Sequence, residues 1–256
     1  MKKIDVDYFN RLYSIYRNRL PSSIKNKIYS IGLDTVKLKG YALEYVPKEL
    51  RDYNICITAV KQYGYALQYV PEELPEYEDI CMAAVNQDGY ALQYVPTELP
   101  EYRDICIAAV KQDGEALKYV PKELRDYNMC MTAVKQNGNA LQFVPTELRD
   151  YAICIAAVKQ DSRALYWVPK ELPEYKDICI AAVNRNGNVL YLVPKELPEY
   201  RDICIAVLNR NGNALRFVPP ELRDYNMCIT AVKQNGRALK FVPEELQSRI
   251  IEELGL

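Results

Sequence analysis

Eight cysteines recur along a 256-residue chain that contains no histidine: Cys56, Cys81, Cys106, Cys130, Cys154, Cys179, Cys204 and Cys228. Such a set invites disulfides, a zinc site or an activated thiolate. The spacing speaks against each. No C-x-x-C pair exists, and no imidazole is available as ligand or base. Equivalent positions on stacked helices lie ~8–10 Å apart, whereas a disulfide needs Cα atoms at ~4.4–6.8 Å. The thiols read as a ladder of small buried apolar groups in a reducing compartment, with no metal and no cofactor expected.

Two further ladders run beside the first. Tyr53, Tyr77, Tyr102, Tyr127, Tyr151, Tyr175, Tyr200 and Tyr225 each precede a cysteine. They predict packing between units with the hydroxyl at the surface, or, more sharply, a platform on which bases stack. Glutamates recur in P-x-E-L at Glu49, Glu73, Glu98, Glu123, Glu147, Glu171, Glu196, Glu221 and Glu245. A carboxylate in every unit reads as a helix-terminus charge, because catalysis needs one or two special positions. No nucleophile–base pair and no phosphate loop appears, so no enzyme is expected.

The elements that must position these residues follow from a period. Pro47, Pro71, Pro96, Pro121, Pro145, Pro169, Pro194, Pro219 and Pro243 stand 24 or 25 residues apart, the mark of a solenoid. Short units read L-R-D-Y and long ones L-P-E-Y, in the same order across 47–144 and 145–242. We read a four-unit block duplicated whole, giving eight tandem repeats over 47–242. Residues 21–46 form a degenerate first repeat, 1–20 an N-terminal capping helix and 243–256 a C-terminal capping helix around Glu244 to Leu254.

Within a unit, Ile55, Cys56, Ala59 and Val60 fall on one helical stripe. Glycine after Asn or Asp is expected just past the helix end, in the left-handed conformation. Ala66, Leu67 and Val70 mark a second, shorter helix, and P-x-E-L a helical turn, of α or 3₁₀ type. The expected fold is all-α, an α-solenoid of two-helix repeats, because one pair cannot bury its apolar face alone.

Composition fits a folded cytoplasmic protein, of a cell or of an infected host cell. Apolar runs are far short of the ~20 residues of a membrane span, and no secretory signal is visible at the start. The net charge of −1 hides a pattern along the sequence. Residues 47–144 carry 9 basic and 15 acidic groups, net −6, and residues 145–242 carry 14 and 11, net +3.

The stretch from Ala66 to Gly89 resembles the helical repeats of a domain of unknown function found in bacteria and large DNA viruses. Ala66, Leu67, Tyr69, Glu73, Leu74, Ile80, Ala84, Val85 and Gly89 match its pattern, and the resemblance extends over about residues 31–250. The chain departs from it at Val-Pro and at Ile-Cys. The resemblance implies a helical solenoid with an interaction role, including roles in conflict between parasites or mobile elements and their hosts.

In a solenoid, the columns that vary between units face partners. Here they are the residue after glycine and the one three further on. Tyr65 and Tyr90 open the series; Arg163, Tyr166, Tyr191, Arg216, Arg237 and Lys240 close it. Arg185 and Arg210 add charge where other units have glutamine, and Trp167 is the single tryptophan. Arginine, tyrosine and tryptophan are what interface hot spots are made of; the plainer reading of Trp167 is a larger core filler. The expected function is a non-enzymatic scaffold for a large protein partner, possible inhibitors or effectors of a host included. The alternative is binding of RNA or single-stranded nucleic acid by the basic and aromatic second block.

Overall fold

The computed structural model describes residues 13–256, and every element among them is helical. The chain divides into two compact units, 1–136 and 137–256. In the first, α-helices Ser22–Leu38, Tyr53–Gln62, Tyr77–Gln87, Tyr102–Gln112 and Tyr127–Gln136 alternate with 3₁₀ helices Gly40–Tyr45, Gly64–Tyr69, Gly89–Tyr94 and Gly114–Tyr119. In the second, α-helices Tyr151–Gln160, Tyr175–Arg185, Tyr200–Leu208 and Tyr225–Gln234 do so with 3₁₀ helices Gly138–Phe143, Ser162–Trp167, Gly187–Leu192, Gly212–Phe217 and Gly236–Phe241. The helix Glu244–Leu254 closes that unit. At the other end, residues 13–16 are helical and Arg17–Arg19 form a 3₁₀ turn. The start of the expected N-terminal capping helix lies outside the described residues.

Within each unit the α-helices pack on one another in one layer and the 3₁₀ helices in a second. This is the expected all-α solenoid. The core is the predicted stripe repeated: Ile55, Cys56, Ala59, Val60 and Ala66 are fully buried, and Leu67 is 1% exposed. Each such leucine contributes roughly 2 kcal/mol by leaving water. Among the described residues, no helix is long and apolar enough to cross a membrane.

The structure overturns the expectation for the repeat glycines. The only glycine with positive φ is Gly255, after the last helix. The repeat glycines instead open the 3₁₀ helices. Where Asp or Asn precedes, it is extended, and except at Asn211 its side chain accepts from the backbone N–H two residues on, as Asp88 does from Tyr90 at 2.9 Å and Asn137 from Asn139 at 3.0 Å. This Asx turn starts the second helix. Glycine is needed there for space. A Cβ on Gly64 would stand 2.7 Å from the Ala84 carbonyl oxygen, and one on Gly89 2.6 Å from that of Ala109.

The close approach is fastened by glutamine. Gln87 Oε1 accepts from the Gly64 N–H at 2.6 Å and Gln112 from Gly89 at 2.6 Å. Gln136 accepts from Gly114 at 2.8 Å, Gln160 from Gly138 at 2.5 Å and Gln234 from Gly212 at 2.5 Å. The same side chains reach back: the amide of Gln136 donates to the Gln112 carbonyl at 3.1 Å, and that of Gln234 to Arg210 at 2.9 Å. One side chain thus joins the end of one α-helix to the start of the preceding 3₁₀ helix.

The two unit lengths differ in what stands beside the cysteine. In short units an arginine gathers carbonyls. Arg51 donates to Val46 at 2.7 Å, Tyr69 at 2.8 Å and Glu44 at 3.1 Å, and Arg149 and Arg223 repeat the pattern. The next aspartate caps the α-helix, as Asp52 does for the Ile55 N–H at 2.9 Å. In long units tyrosine takes the inner place: Tyr77, Tyr102, Tyr175 and Tyr200 are buried, and burial raises the pKa of each hydroxyl. The expectation of a hydroxyl at the surface therefore fails for these four. Tyr127 and Tyr151, in short units, are exposed.

All eight cysteines are unpaired and fully buried. Burial pushes the thiols up from 9.0 to about 12 at Cys56, Cys81 and Cys154, and to about 11 at Cys106, Cys130, Cys179, Cys204 and Cys228. The neutral thiol is thus favoured by folding. That stability is full below the unfolded-state value and is lost as pH rises through 11 to 12. A thiol reagent at pH 8 is therefore expected to label none of the eight in the folded chain and all of them in denaturant, and the melting temperature to fall above about pH 9. Rapid labelling of the folded chain contradicts the ladder.

Candidate functional site

The variable columns lie on the 3₁₀ helices, where residues three apart stand directly above one another. In the first unit the column closes on itself. Tyr63 and Tyr65 stack at 5.6 Å, and Tyr65 meets Tyr94 edge-on at 5.7 Å. The Tyr90 hydroxyl donates to Glu115 at 2.8 Å, while Lys118 lies 4.3 Å from the Tyr90 ring and 4.6 Å from the Tyr119 ring. Tyr65 and Tyr90, read from the sequence as partner-facing, are half-buried in this internal packing.

The second unit is open. Tyr166 and Tyr191 are 68% and 65% exposed. Trp167 is half-buried and meets Tyr166 edge-on at 4.7 Å. Its backbone carbonyl accepts from Arg149 at 2.9 Å, so the main chain is held while the rings face outward. The reading of Trp167 as a core filler is not what is seen. Arg163 is drawn aside: its guanidinium pairs with Asp161 at 2.6 Å, and that pairing holds the Asp161 carboxyl below its ordinary range.

Arg216, Arg237 and Lys240 come together. They line a groove of about 290 Å³ with Asn188, Asn211, Asn213 and Phe241. Arg216 donates to Asn188 Oδ1 at 3.0 Å and lies 4.4 Å from the Phe217 ring; Lys240 lies 4.9 Å from the Phe241 ring. Asn211 is unlike the other Asx residues that open a 3₁₀ helix, because its side chain makes no cap. Arg185 and Arg210 are exposed and stand where other units hold the clamping glutamine. A guanidinium carries donors only and cannot accept from an N–H, so these two joints lack the clamp. None of the residues lining the groove is acidic, and among the described residues no three of His, Cys, Asp or Glu gather as a metal would need.

The glutamine and arginine clamps escaped the sequence reading. Their signals were present, in the glutamine before each turn and in the switch between L-R-D-Y and L-P-E-Y, but the partners lie 18 to 23 residues away.

These features all belong to the repeat, and the repeat has a family. The model of the Domain of unknown function (DUF4116) matches residues 33–75, 77–125, 126–173, 152–198, 175–223 and 200–247. The chain belongs to the DUF4116 family. The DUF4116 matches overlap after residue 152, where each spans two successive structural repeats. They include the buried cysteines, the clamping glutamines and the groove residues up to Phe241. No curated protein and no solved structure matches the chain.

Proposed function

We propose that this DUF4116 chain is a non-enzymatic scaffold whose second unit binds a large protein partner. The observation that carries the reading is the pair Tyr166 and Tyr191, each about two-thirds exposed on a variable column of an otherwise ordered stack. Tyrosine brings a large contact area with only two side-chain torsions to fix on binding, and is a typical interface anchor. Trp167 backs Tyr166, and the basic groove flanks them in the same unit. Nothing on this surface supplies a nucleophile with its base. Action as an inhibitor or effector against a host protein is one form such a scaffold takes.

The test is capture from native-host lysate by the full chain and by Tyr166→Ala/Tyr191→Ala, each with and without ribonuclease. A ribonuclease-resistant protein is expected with the native chain, with at least about a tenfold loss in the variant at unchanged thermal stability. Capture that vanishes with ribonuclease, or that the variant leaves unchanged, refutes the reading.

A further inference from the structure

The geometry points to an acidic segment of the partner protein as the occupant of the groove at Arg216, Arg237 and Lys240. This rests on the protein-binding reading and specifies the partner's chemistry.

In the first unit the same columns hold their own carboxylate. Glu115 stands at the first variable position, accepts from the Tyr90 hydroxyl at 2.8 Å, and lies one 3₁₀ turn from Lys118. In the three repeats around the groove the equivalent first positions are Asn188, Asn213 and Arg237, and the second positions Tyr191, Arg216 and Lys240. The cations remain and the carboxylate is gone. Among the described residues, none of Arg216, Arg237 and Lys240 forms an ion pair. Cations gathered without an acid repel one another, and a carboxylate brought from outside relieves that repulsion.

The rest of the groove fits a peptide better than a nucleic acid. Arginine takes a carboxylate through two parallel hydrogen bonds. Asn211, freed from capping, and Asn213 offer amide groups to a peptide main chain. The Phe217 and Phe241 rings each already have a cation against them, at 4.4 and 4.9 Å, so the groove offers little open aromatic surface for base stacking. A volume of about 290 Å³ admits one or two acidic side chains.

The experiment measures fluorescence anisotropy of a short labelled glutamate oligomer with the full chain at low ionic strength, and of an oligouridylate of equal length in parallel. The glutamate oligomer is expected to bind, and Arg237→Glu/Lys240→Glu to weaken it by at least about tenfold. Lys170→Glu/Lys195→Glu, at exposed lysines of the same unit outside the groove, is expected to leave it within about twofold. Circular dichroism checks folding, and Arg237→Gln/Lys240→Gln serves if the charge reversals unfold. No binding of the glutamate oligomer, equal loss in the control variant, or tighter binding of the oligouridylate overturns the inference. If the oligomer fails while capture of a ribonuclease-resistant protein still depends on Tyr166 and Tyr191, the acidic-segment inference falls and the scaffold stands.

Discussion

Arg51→Ala lowers the unfolding free energy by about 3–5 kcal/mol, and Arg51→Lys recovers little of it. The side chain is 9% exposed and donates to the carbonyls of Val46, Tyr69 and Glu44 at 2.7, 2.8 and 3.1 Å. Those carbonyls belong to the ends of two successive 3₁₀ helices, so one guanidinium fastens two repeats. Its pKa is lowered, chiefly by burial. The cost of desolvating the charge is offset by three charge-assisted hydrogen bonds, each worth about 1.5–3 kcal/mol net. Alanine leaves the carbonyls without their donor. Lysine brings the charge but not the planar fork, and an ammonium on a flexible stem does not span three acceptors. Urea denaturation followed by circular dichroism reads the effect as a lower midpoint. A lysine variant as stable as the native chain contradicts the account.

Gly64→Ala is the second large effect, about 3 kcal/mol. The new methyl would meet the Ala84 carbonyl oxygen at 2.7 Å, with the Asp88 Cβ and Gln87 Oε1 each at 3.0 Å. The obstacle is backbone, which cannot rotate away, so the 3₁₀ helix must lift from the following α-helix and loosen the 2.6 Å bond from the Gly64 N–H to Gln87. The chain contains its own control. Gly236 opens the last 3₁₀ helix with nothing within 4 Å of its would-be Cβ, and its φ is not positive. Gly236→Ala is therefore expected to change the unfolding free energy by less than about 0.5 kcal/mol. Equal losses at both glycines would mean that conformational freedom, not space, is what the repeat requires.

Much of this was legible in the sequence. The proline period gave the repeat, the stripe through Ile55, Cys56, Ala59 and Val60 gave the buried face, and the closing helix falls at Glu244–Leu254 as read. The basic columns named Arg216, Arg237 and Lys240 one by one, and the groove that all three line is seen only in the structure. What failed has a common cause. The role of Gly64 is set by Ala84, that of Gln87 by Gly64, and that of Arg51 by Tyr69. Each is a relation between repeats, and spacing inside one repeat cannot express it. The tyrosine column looked uniform for the same reason. Tyr77 is buried where proline and glutamate precede it, and Tyr151 is exposed where arginine and aspartate do. At the candidate surface, charge alone could not tell that Arg163 turns back to Asp161.

The glutamine clamps also bear on how a stack of this kind yields to force. Each clamp lies across a joint between neighbours, so a pull along the stack loads the joints in series, and the least fastened one opens first. In the second unit the joints at Gly138–Gln160 and Gly212–Gln234 are bolted, while those at Ser162–Arg185 and Gly187–Arg210 are not. The two unbolted joints flank Tyr166 and Tyr191, and Asn188 of the groove directly follows one of them. The proposed binding surface thus sits on the least fastened stretch of that unit, where it could bend to a partner while the bolted repeats on either side keep their shape.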